Sequence, residues 1–258
     1  MPNWVYGDLN ITGDKESLLK FKEYAKGDVK YDEEEGEPQK KVTELDMNKF
    51  IPYPKEFNDI DKRNKEYHEK FDRVKEKLKN KEMLTYEDEK LINELALIEL
   101  EGENKDYDTD GYNSGGYDWC IRNWGTKWNF CDVFLDDGEQ DKEVLHYNFQ
   151  TAWAIPIPVL LEMSNKFANL TFNYYGNEES EEFEVEFQFK AGQMEVISEK
   201  NWEQIQIEKI EEGNVDGFDY DEELYNELKK HTGHKIIKEN SEFKCQTCEN
   251  KSIWSIDK

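Results

Sequence analysis

Residues 182–189 read Glu-Phe-Glu-Val-Glu-Phe-Gln-Phe, the most regular alternation of apolar and polar side chains in the chain. Aromatic and β-branched residues that alternate with charged residues are typical of a strand with one buried and one exposed face. Gly192 then favours a turn into a second extended segment at 193–198. This stretch therefore predicts a β-hairpin with one apolar face and one acidic face.

The sequence before this hairpin alternates between predicted strands and helices. β-Branched and aromatic content predicts strands at 4–12, 130–135, 144–151 and 170–175. One helix is predicted from a cap at Asp14 to an end at Gly27, and another is predicted to start at Pro156 and Pro158. The order β-α-β-β-α-β, followed by the extra hairpin, is that of a ferredoxin-like or split βαβ domain. The predicted fold class is thus α+β, with an antiparallel sheet and helices on one face.

Residues 55–105 interrupt this order and predict an inserted helical hairpin. Apolar residues recur at helical spacing on both sides of a break at Thr85, namely Phe71, Val74, Leu78, Leu91, Leu95 and Ile98. Residues 1–198 therefore form the predicted ferredoxin-like domain with its insertion. Residues 199–230 are interpreted as an acidic helical linker and residues 231–258 as a small C-terminal unit.

The chain of 258 residues is strongly acidic, with 60 acidic and 34 basic residues and a net charge of −26. Such a charge repels nucleic acids and anionic membranes and attracts basic partners, so direct nucleic-acid binding is not expected. Apolar runs fall short of the ~20 residues of a membrane span, and the first residues do not resemble a secretory signal. We therefore expect a cytoplasmic protein whose four cysteines stay reduced.

Much of the negative charge lies between Glu178 and Leu228, which hold 18 acidic and 3 basic residues. The acidic surface predicted to bind a partner comprises Glu182, Glu184, Glu186, Asp219, Asp221, Glu222 and Glu223. Carboxylates on one strand face are spaced ~6.6–6.8 Å, of the same order as nucleic-acid phosphates. One interpretation is therefore a nucleic-acid mimic that occupies the basic groove of a host protein. The other is a solvated surface that keeps the protein soluble.

Residues 117–129 read Tyr-Asp-Trp-Cys-Ile-Arg-Asn-Trp-Gly-Thr-Lys-Trp-Asn and hold three of the seven tryptophans. Large aromatic residues dominate protein cores, so a structural aromatic cluster is favoured. Its predicted members are Trp4, Trp119, Trp124, Trp128 and Trp153. The alternative is a platform that stacks a ligand or nucleobase, flanked by Arg122 and Lys127.

A pair of histidines, His231-x-x-His234, is followed by a pair of cysteines, Cys245-x-x-Cys248. Two imidazoles and two thiolates complete a closed tetrahedral zinc site, which would stabilise a tail too short to form its own core. The sequence therefore predicts a structural zinc ion bound by these four residues. The alternative is a plain β-hairpin with reduced thiols at its turn.

Three stretches resemble the YubB ferredoxin-like family, also described as Api-like phage proteins. They are Met-Pro-Asn-Trp-Val at 1–5, the tryptophan-rich residues 117–129, and Thr-Ala-Trp-Ala-Ile-Pro-Ile-Pro at 151–158. The resemblance covers about residues 1–198 apart from the insertion. It implies a ferredoxin-like fold and an origin in a phage or other mobile element, and it implies no catalytic residues.

The sequence contains no recognisable catalytic constellation, since His68 and His146 stand alone and no phosphate-binding glycine-rich loop is present. We therefore expect a protein that is not an enzyme. The favoured function is that of a phage or mobile-element accessory protein, which binds a host protein through its acidic surface and thereby inhibits a defence effector. The alternative is a ferredoxin-like module that binds a ligand or nucleic acid through its tryptophan-rich segment and carries a structural zinc site.

Overall fold

The computed structural model describes residues 3–27, 30–32, 39–101, 110–136, 144–214, 222–239, 242–248 and 251–255. The chain divides into two compact units. The first comprises Met1–Tyr24, Phe130–Ile155 and Leu160–Lys258, and the second comprises Ala25–Asn129 and Pro156–Val159. Among the helices of the described ranges, none combines the length and the apolar character needed to cross a bilayer.

The elements are numbered in chain order. The strands are β1 (Trp4–Thr12), β2 (Lys30–Asp32), β3 (Gln39–Lys41), β4 (Cys131–Asp136), β5 (Val144–Ala152), β6 (Thr171–Glu178), β7 (Phe183–Lys190), β8 (Gln193–Asn201), β9 (Ile236–Glu239), β10 (Glu242–Cys245) and β11 (Lys251–Ser255). The helices are α1 (Lys15–Ala25), α2 (Lys55–Lys79), α3 (Tyr86–Glu101), α4 (Tyr117–Asn123), α5 (Ile157–Lys166), α6 (Trp202–Glu212) and α7 (Glu222–Lys229).

The main sheet of the first unit has the strand order β4-β5-β1-β6-β7-β8, and its neighbouring strands are antiparallel. Strand β1 lies between β5 and β6, and β4 pairs with β5, which is the arrangement of a split βαβ domain. Strands β7 and β8 extend this sheet at one edge. The predicted α+β fold with an antiparallel ferredoxin-like sheet is confirmed.

One face of the main sheet is buried because the side chains of its strands alternate in register. Leu9 of β1 lies opposite Tyr147 of β5 and Tyr174 of β6, and the three side chains are buried together. The next residue, Asn10, points to the other face and is only partly buried. The apolar face forms the core of the first unit.

Helices α1 and α5 cover this apolar face. Phe21 of α1 is fully buried, and its ring centroid lies 6.1 Å from that of Tyr147 and 5.4 Å from that of Phe172. It also lies 5.1 Å from the ring of Phe167, which directly follows α5. Phe21 therefore joins both helices to the sheet through edge-to-face contacts.

In the second unit, helices α2 and α3 lie on either side of Thr85. The backbone N–H and the hydroxyl of Thr85 each donate to the Asp88 carboxylate at 2.8 Å, which fixes the start of α3. The Lys77 ammonium of α2 donates to the same carboxylate at 2.6 Å. These hydrogen bonds, that of Lys77 first, lower the pKa of Asp88 to about 2. Asp88 thus caps one helix and binds the other.

Candidate metal centre

Helices α6 and α7 and the sheet β11-β10-β9 share one small apolar core and are called the C-terminal module here. Its buried residues are Ile210, Leu228, Ile236, Phe243, Cys245 and Ile253. Trp254 stacks on Phe243 with ring centroids 4.6 Å apart, and Trp202 of α6 packs against both rings. Helices α6 and α7, which lie in the residues 199–230 interpreted from sequence as a linker, therefore pack on the strands of residues 231–258.

The two histidines lie in the turn that follows α7. The His231 N–H donates to the Leu228 carbonyl at 2.9 Å, and the His234 N–H donates to the His231 carbonyl at 2.9 Å. Gly233, between them, has φ of +76°, a left-handed conformation that glycine adopts without strain. The Gly233 N–H donates to the Glu211 carbonyl of α6 at 2.6 Å, so the turn is held against that helix.

The two cysteines lie on the facing turn. Cys245 ends β10 and is fully buried, while Cys248 ends the short 3-10 turn Gln246–Cys248. The Gln246 N–H donates to the Lys235 carbonyl at 2.9 Å, and the Lys235 N–H donates to the Thr247 hydroxyl at 3.1 Å. These two bonds join the cysteine turn to the start of β9 and place it beside the histidine turn.

The donor atoms of the four side chains converge on one point. Nδ1 of His234 lies 3.5 Å from Sγ of Cys245 and 3.5 Å from Sγ of Cys248, and Nδ1 of His231 lies 3.7 Å from Sγ of Cys248. The four ligand atoms all lie within 4.8 Å of one another. A tetrahedral ion with zinc–sulfur bonds of ~2.3 Å and zinc–nitrogen bonds of ~2.0–2.1 Å requires sulfur–nitrogen separations of ~3.6 Å. The structure therefore contains a His2Cys2 group that can hold a metal ion.

Hydrogen bonds among the four side chains are the metal-free alternative to a bound ion. Sγ of Cys248 is close to the Nδ1 atoms of both histidines, and a thiol can donate to one of them and accept from the other. Nδ1 of His234 in turn faces two sulfur atoms. A cation at the centre would satisfy all four donors together.

The surroundings of His231 suit a metal ligand. Its Nε2 is buried, has no hydrogen-bond partner among the described residues, and lies 3.7 Å from the Glu227 carboxylate. Metal-binding histidines usually direct their second ring nitrogen at a carboxylate or carbonyl, which fixes the ring. Burial also lowers the pKa of His231, which favours the neutral imidazole that metal binding needs.

Two lysines hold Glu227 in its charged form. The Lys230 ammonium donates to this carboxylate at 2.7 Å, and the Lys251 ammonium donates to its other oxygen. These hydrogen bonds, that of Lys230 first, lower the pKa of Glu227 to about 2. No sequence motif identified Glu227. Its i,i+4 spacing from His231 at the end of a helix does indicate that the two side chains are neighbours.

The cysteines influence each other. A hydrogen bond with Cys245, followed by burial, raises the pKa of Cys248. Two thiolates whose sulfur atoms lie within 4.8 Å of each other repel, and a divalent cation between them removes that repulsion. The raised pKa makes Cys248 a poor nucleophile as long as no cation is bound.

The predicted acidic residues are spread over different environments. Glu182 and Glu186 are exposed, whereas Glu184 is partly buried, accepts a hydrogen bond from the Tyr175 hydroxyl at 3.0 Å and pairs with Lys200 at 3.0 Å. Asp219 and Asp221 lie outside the described residues. Glu222 and Glu223 begin α7, but their side chains are not described.

A β-bulge sets the partner of Glu184. The register of β7 against β8 shifts between Glu186 and Phe187, so that Ile197 is the extra residue of β8. Glu184 consequently lies opposite Lys200, while Val185 lies opposite Glu199. An unshifted ladder would put Glu184 opposite Glu199, a like-charge pair that destabilises a sheet.

The five predicted cluster tryptophans divide between the two units. Trp4 and Trp153 belong to the first unit, and Trp119, Trp124 and Trp128 belong to the second. Trp4 is partly buried, Trp153 is 49% exposed, and the Lys127 ammonium lies 5.5 Å from the Trp128 ring centroid.

Within the second unit, Trp119 and Trp124 of the predicted cluster lie together, and their common neighbour is Tyr53, which no sequence motif indicated. Its ring centroid lies 5.5 Å from that of Trp119 and 5.7 Å from that of Trp124, and the two indoles are 5.4 Å apart. Trp124 is 4% exposed, and its indole N–H donates to the Ile51 carbonyl at 2.8 Å. Trp124 thus has the burial and the satisfied N–H of a core residue.

Comparison with a family model concerns part of the main sheet and does not reach the candidate metal ligands. Residues 124–226 match the family model described as the ferredoxin-like domain in Api92-like protein. The chain is also similar to the crystal structure of protein Api92 from Yersinia pseudotuberculosis, with 9% sequence identity and a TM-score of 0.38 over 78% of this chain and 98% of that chain. No curated protein matches the chain. All four candidate ligands lie beyond the residues that the family model matches.

Proposed function

We propose that His231, His234, Cys245 and Cys248 bind one zinc ion that stabilises the C-terminal module. The observation that carries this proposal is the convergence of two nitrogen and two sulfur donors within 4.8 Å of one another, with three sulfur–nitrogen separations of 3.5 to 3.7 Å. Thiolate and imidazole ligands in a tetrahedron suit zinc better than the oxygen-seeking magnesium or calcium. Four protein ligands leave no open position for a substrate, so the role of the ion is structural.

The size of the module explains why it would need an ion. Its core consists of a few apolar side chains from two short helices and three short strands. A core of this size supplies only ~3–5 kcal/mol of stability, which small domains supplement with disulfides or metals. Zinc binding adds its free energy to folding because the ligands converge only in the folded state.

Metal analysis tests this proposal. Protein purified without chelator should contain about one zinc ion per chain, and Cys248→Ser should lose most of it, since a closed site depends on all four ligands. Cys131→Ser makes the same chemical change outside the group and should keep the zinc. Absence of zinc in the wild type, or equal zinc in Cys248→Ser, would contradict the proposal.

We further propose that the protein is a phage or mobile-element accessory protein that is not an enzyme and acts in the host cytoplasm. In this proposal its acidic surface binds the basic groove of a host protein and mimics nucleic acid. The net charge of −26, the exposed Glu182 and Glu186, and the resemblance to Api-like phage proteins support it. The alternative of a stacking platform is less well supported, because Trp124 is buried against Tyr53 and Trp119.

The structure indicates which carboxylates should matter most for this binding. The ion pair with Lys200 reduces the charge that Glu184 presents, so Glu182 and Glu186 should dominate. A double reversal, Glu182→Lys with Glu186→Lys, should weaken binding of a basic host protein by roughly 10- to 100-fold, and added salt should weaken wild-type binding steeply.

A matched control distinguishes an effect of this surface on binding from an effect of the net charge. Glu66→Lys with Glu69→Lys makes the same change in charge at exposed positions of α2. The partner is first captured from host lysate and identified by mass spectrometry, and its dissociation constants are then measured with purified proteins. If the two double variants bind the partner equally well, or if the dissociation constant does not depend on salt, this surface does not contact the partner.

A further inference from the structure

The face of the main sheet opposite α1 and α5 is polar and carries a depression of about 300 Å³. The sheet register places its side chains in rows that cross the strands. One row comprises Gln150 of β5, Tyr6 of β1 and Asn177 of β6, and the next comprises Asn148, Asp8 and Tyr175 of the same strands. All of them line the depression, whose volume is at the lower end of the range of small-molecule sites.

Hydrogen bonds fix the centre of this lining. Asp8 accepts from the Asn10 amide at 2.8 Å through Oδ1 and from the Asn148 amide at 3.0 Å through Oδ2. Nε2 of His146 lies 2.7 Å from the same Oδ2. These neighbours compensate the Asp8 carboxylate and hold the Asn148 amide in one orientation. A ligand therefore meets a preorganised surface here.

The rest of the lining has unused hydrogen-bonding capacity. Within the described part of the chain, the side-chain amides of Gln150 and Asn177 have no hydrogen-bond partner, and neither has the carboxylate of Asp132. A β-bulge in β4, where Asp132 and Val133 together oppose Phe149, brings Asp132 to the rim of the depression. Two amides and one carboxylate are thus available to a ligand from three different strands.

Tyr6 supplies an exposed aromatic ring between the two amides. It is 41% exposed and lies in register between Gln150 and Asn177. Tyr175 is partly buried, and its hydroxyl donates to Glu184 at 3.0 Å, so this second ring is held in place. An aromatic ring packs on the C–H groups of a ligand while the flanking amides bind its polar groups.

The lining selects an uncharged ligand that carries hydroxyl groups. Asp8 and Asp132 repel anions, and none of the described residues that line the depression is a lysine or an arginine. A cation is not favoured at Asp8, because neighbouring side chains already compensate this carboxylate. An apolar ligand would remove the amides from water without giving them partners. Hydroxyl groups donate to carboxylates, and they both donate to and accept from amides.

The position of the depression in the sheet disfavours a peptide. Extended peptides add to a free strand edge through their backbone groups. The depression lies over β5, β1 and β6, and each of these strands already has a neighbour on both sides. Recognition here therefore depends on side chains.

We propose that this depression binds a neutral mono- or disaccharide. One sugar ring stacks on Tyr6, Gln150 and Asn177 bind its hydroxyl groups from both sides, and Asp132 accepts a further hydroxyl at the rim. The site requires neither the zinc ion nor a basic partner on the acidic surface, so it is independent of the functions proposed above.

The full-length protein is titrated with cellobiose, trehalose and N,N′-diacetylchitobiose, and the side-chain amide resonances of Gln150 and Asn177 report occupancy. At least one of these disaccharides should shift both resonances saturably. For that disaccharide, Tyr6→Ala should raise the dissociation constant roughly tenfold and Gln150→Ala roughly fivefold, as expected for loss of a stacked ring and of one hydrogen bond. No saturable shift with any of the three would overturn the proposal.

Matched variants separate the site from the rest of the surface. Tyr6→Phe keeps the ring and should bind within roughly threefold of wild type. Tyr86→Ala makes the same change as Tyr6→Ala on α3, outside the depression at a side chain that is 78% exposed, and should bind within roughly twofold of wild type. Equal affinities of Tyr6→Ala and Tyr86→Ala would contradict the proposal. If Tyr6→Ala misfolds, unchanged affinity in both Gln150→Ala and Asn177→Ala would contradict it instead.

Two comparison ligands test the chemical class. A sulfated form of the disaccharide that binds should bind at least roughly tenfold more weakly, because Asp8 and Asp132 repel it. A neutral tripeptide, acetylated and amidated at its ends, should shift neither amide resonance. Equal binding of the sulfated form, or binding of the tripeptide but of no disaccharide, would refute the assignment to a neutral saccharide.

Discussion

Cys245→Ser is expected to unfold the C-terminal module and to leave the main sheet folded. Cys245 is both a proposed zinc ligand and a buried member of the module's core. Structural zinc contributes on the order of 10 kcal/mol to small folded domains, whereas a core of this size supplies only ~3–5 kcal/mol. The free energy lost with one thiolate ligand should therefore exceed the stability that packing provides. The indole resonances of Trp202 and Trp254 should lose their dispersion, while that of Trp4 in β1 should keep its dispersion.

Chelation distinguishes loss of metal from loss of packing. EDTA removes the ion without altering any side chain, so it should unfold the module of the wild-type protein in the same way, and added zinc should restore it. Cys131→Ser should behave like the wild type in both conditions. A module that stays folded in EDTA, or in Cys245→Ser without zinc, would show that packing alone holds it.

Phe21→Ala is expected to have the second-largest effect, a loss of ~3–5 kcal/mol in the free energy of unfolding, as for other fully buried aromatic side chains. Phe21 is 0% exposed, and its ring contacts those of Tyr147, Phe167 and Phe172. Its removal leaves a cavity between α1, the sheet and the end of α5. Urea unfolding monitored by circular dichroism measures the difference in the free energy of unfolding between this variant and the wild type.

Leu19→Ala is the matched control, because Leu19 lies on the same helix but is 54% exposed. It should cost less than ~1 kcal/mol, since little apolar surface is removed from the core. Equal losses for the two variants would mean that α1 does not pack on the sheet through Phe21.

The main sheet was predictable because strand alternation is a local signal. Phe183, Val185, Phe187 and Phe189 alternate with polar residues, and the structure buries Val185, Phe187 and Phe189. Register is different, because it depends on the partner strand. The sequence alone does not show that a bulge at Ile197 puts Lys200, rather than Glu199, opposite Glu184. The sequence therefore predicted the number of charges on the acidic surface, but not which of them are paired across the strands.

The candidate metal centre likewise combines features that a local sequence signal predicts with features that only the fold shows. The spacings His231-x-x-His234 and Cys245-x-x-Cys248 are local and predicted the four side chains that the structure brings together. Glu227 and the packing of α6 and α7 on β9–β11 depend on tertiary contacts that no short motif records. Glu178 is similar, because only the fold shows that this one of many glutamates is buried, with one oxygen that has no hydrogen-bond partner among the described residues.

X-ray absorption at the zinc edge, on protein purified without chelator, tests the proposed centre most directly. We predict a first shell of two sulfur atoms at ~2.3 Å and two nitrogen atoms at ~2.0–2.1 Å, with the scattering pattern of imidazole rings. Cys248→Ser should reduce the sulfur contribution or abolish the zinc signal. A shell of nitrogen and oxygen only, or protein without zinc, would contradict the assignment of His231, His234, Cys245 and Cys248 as a structural zinc site.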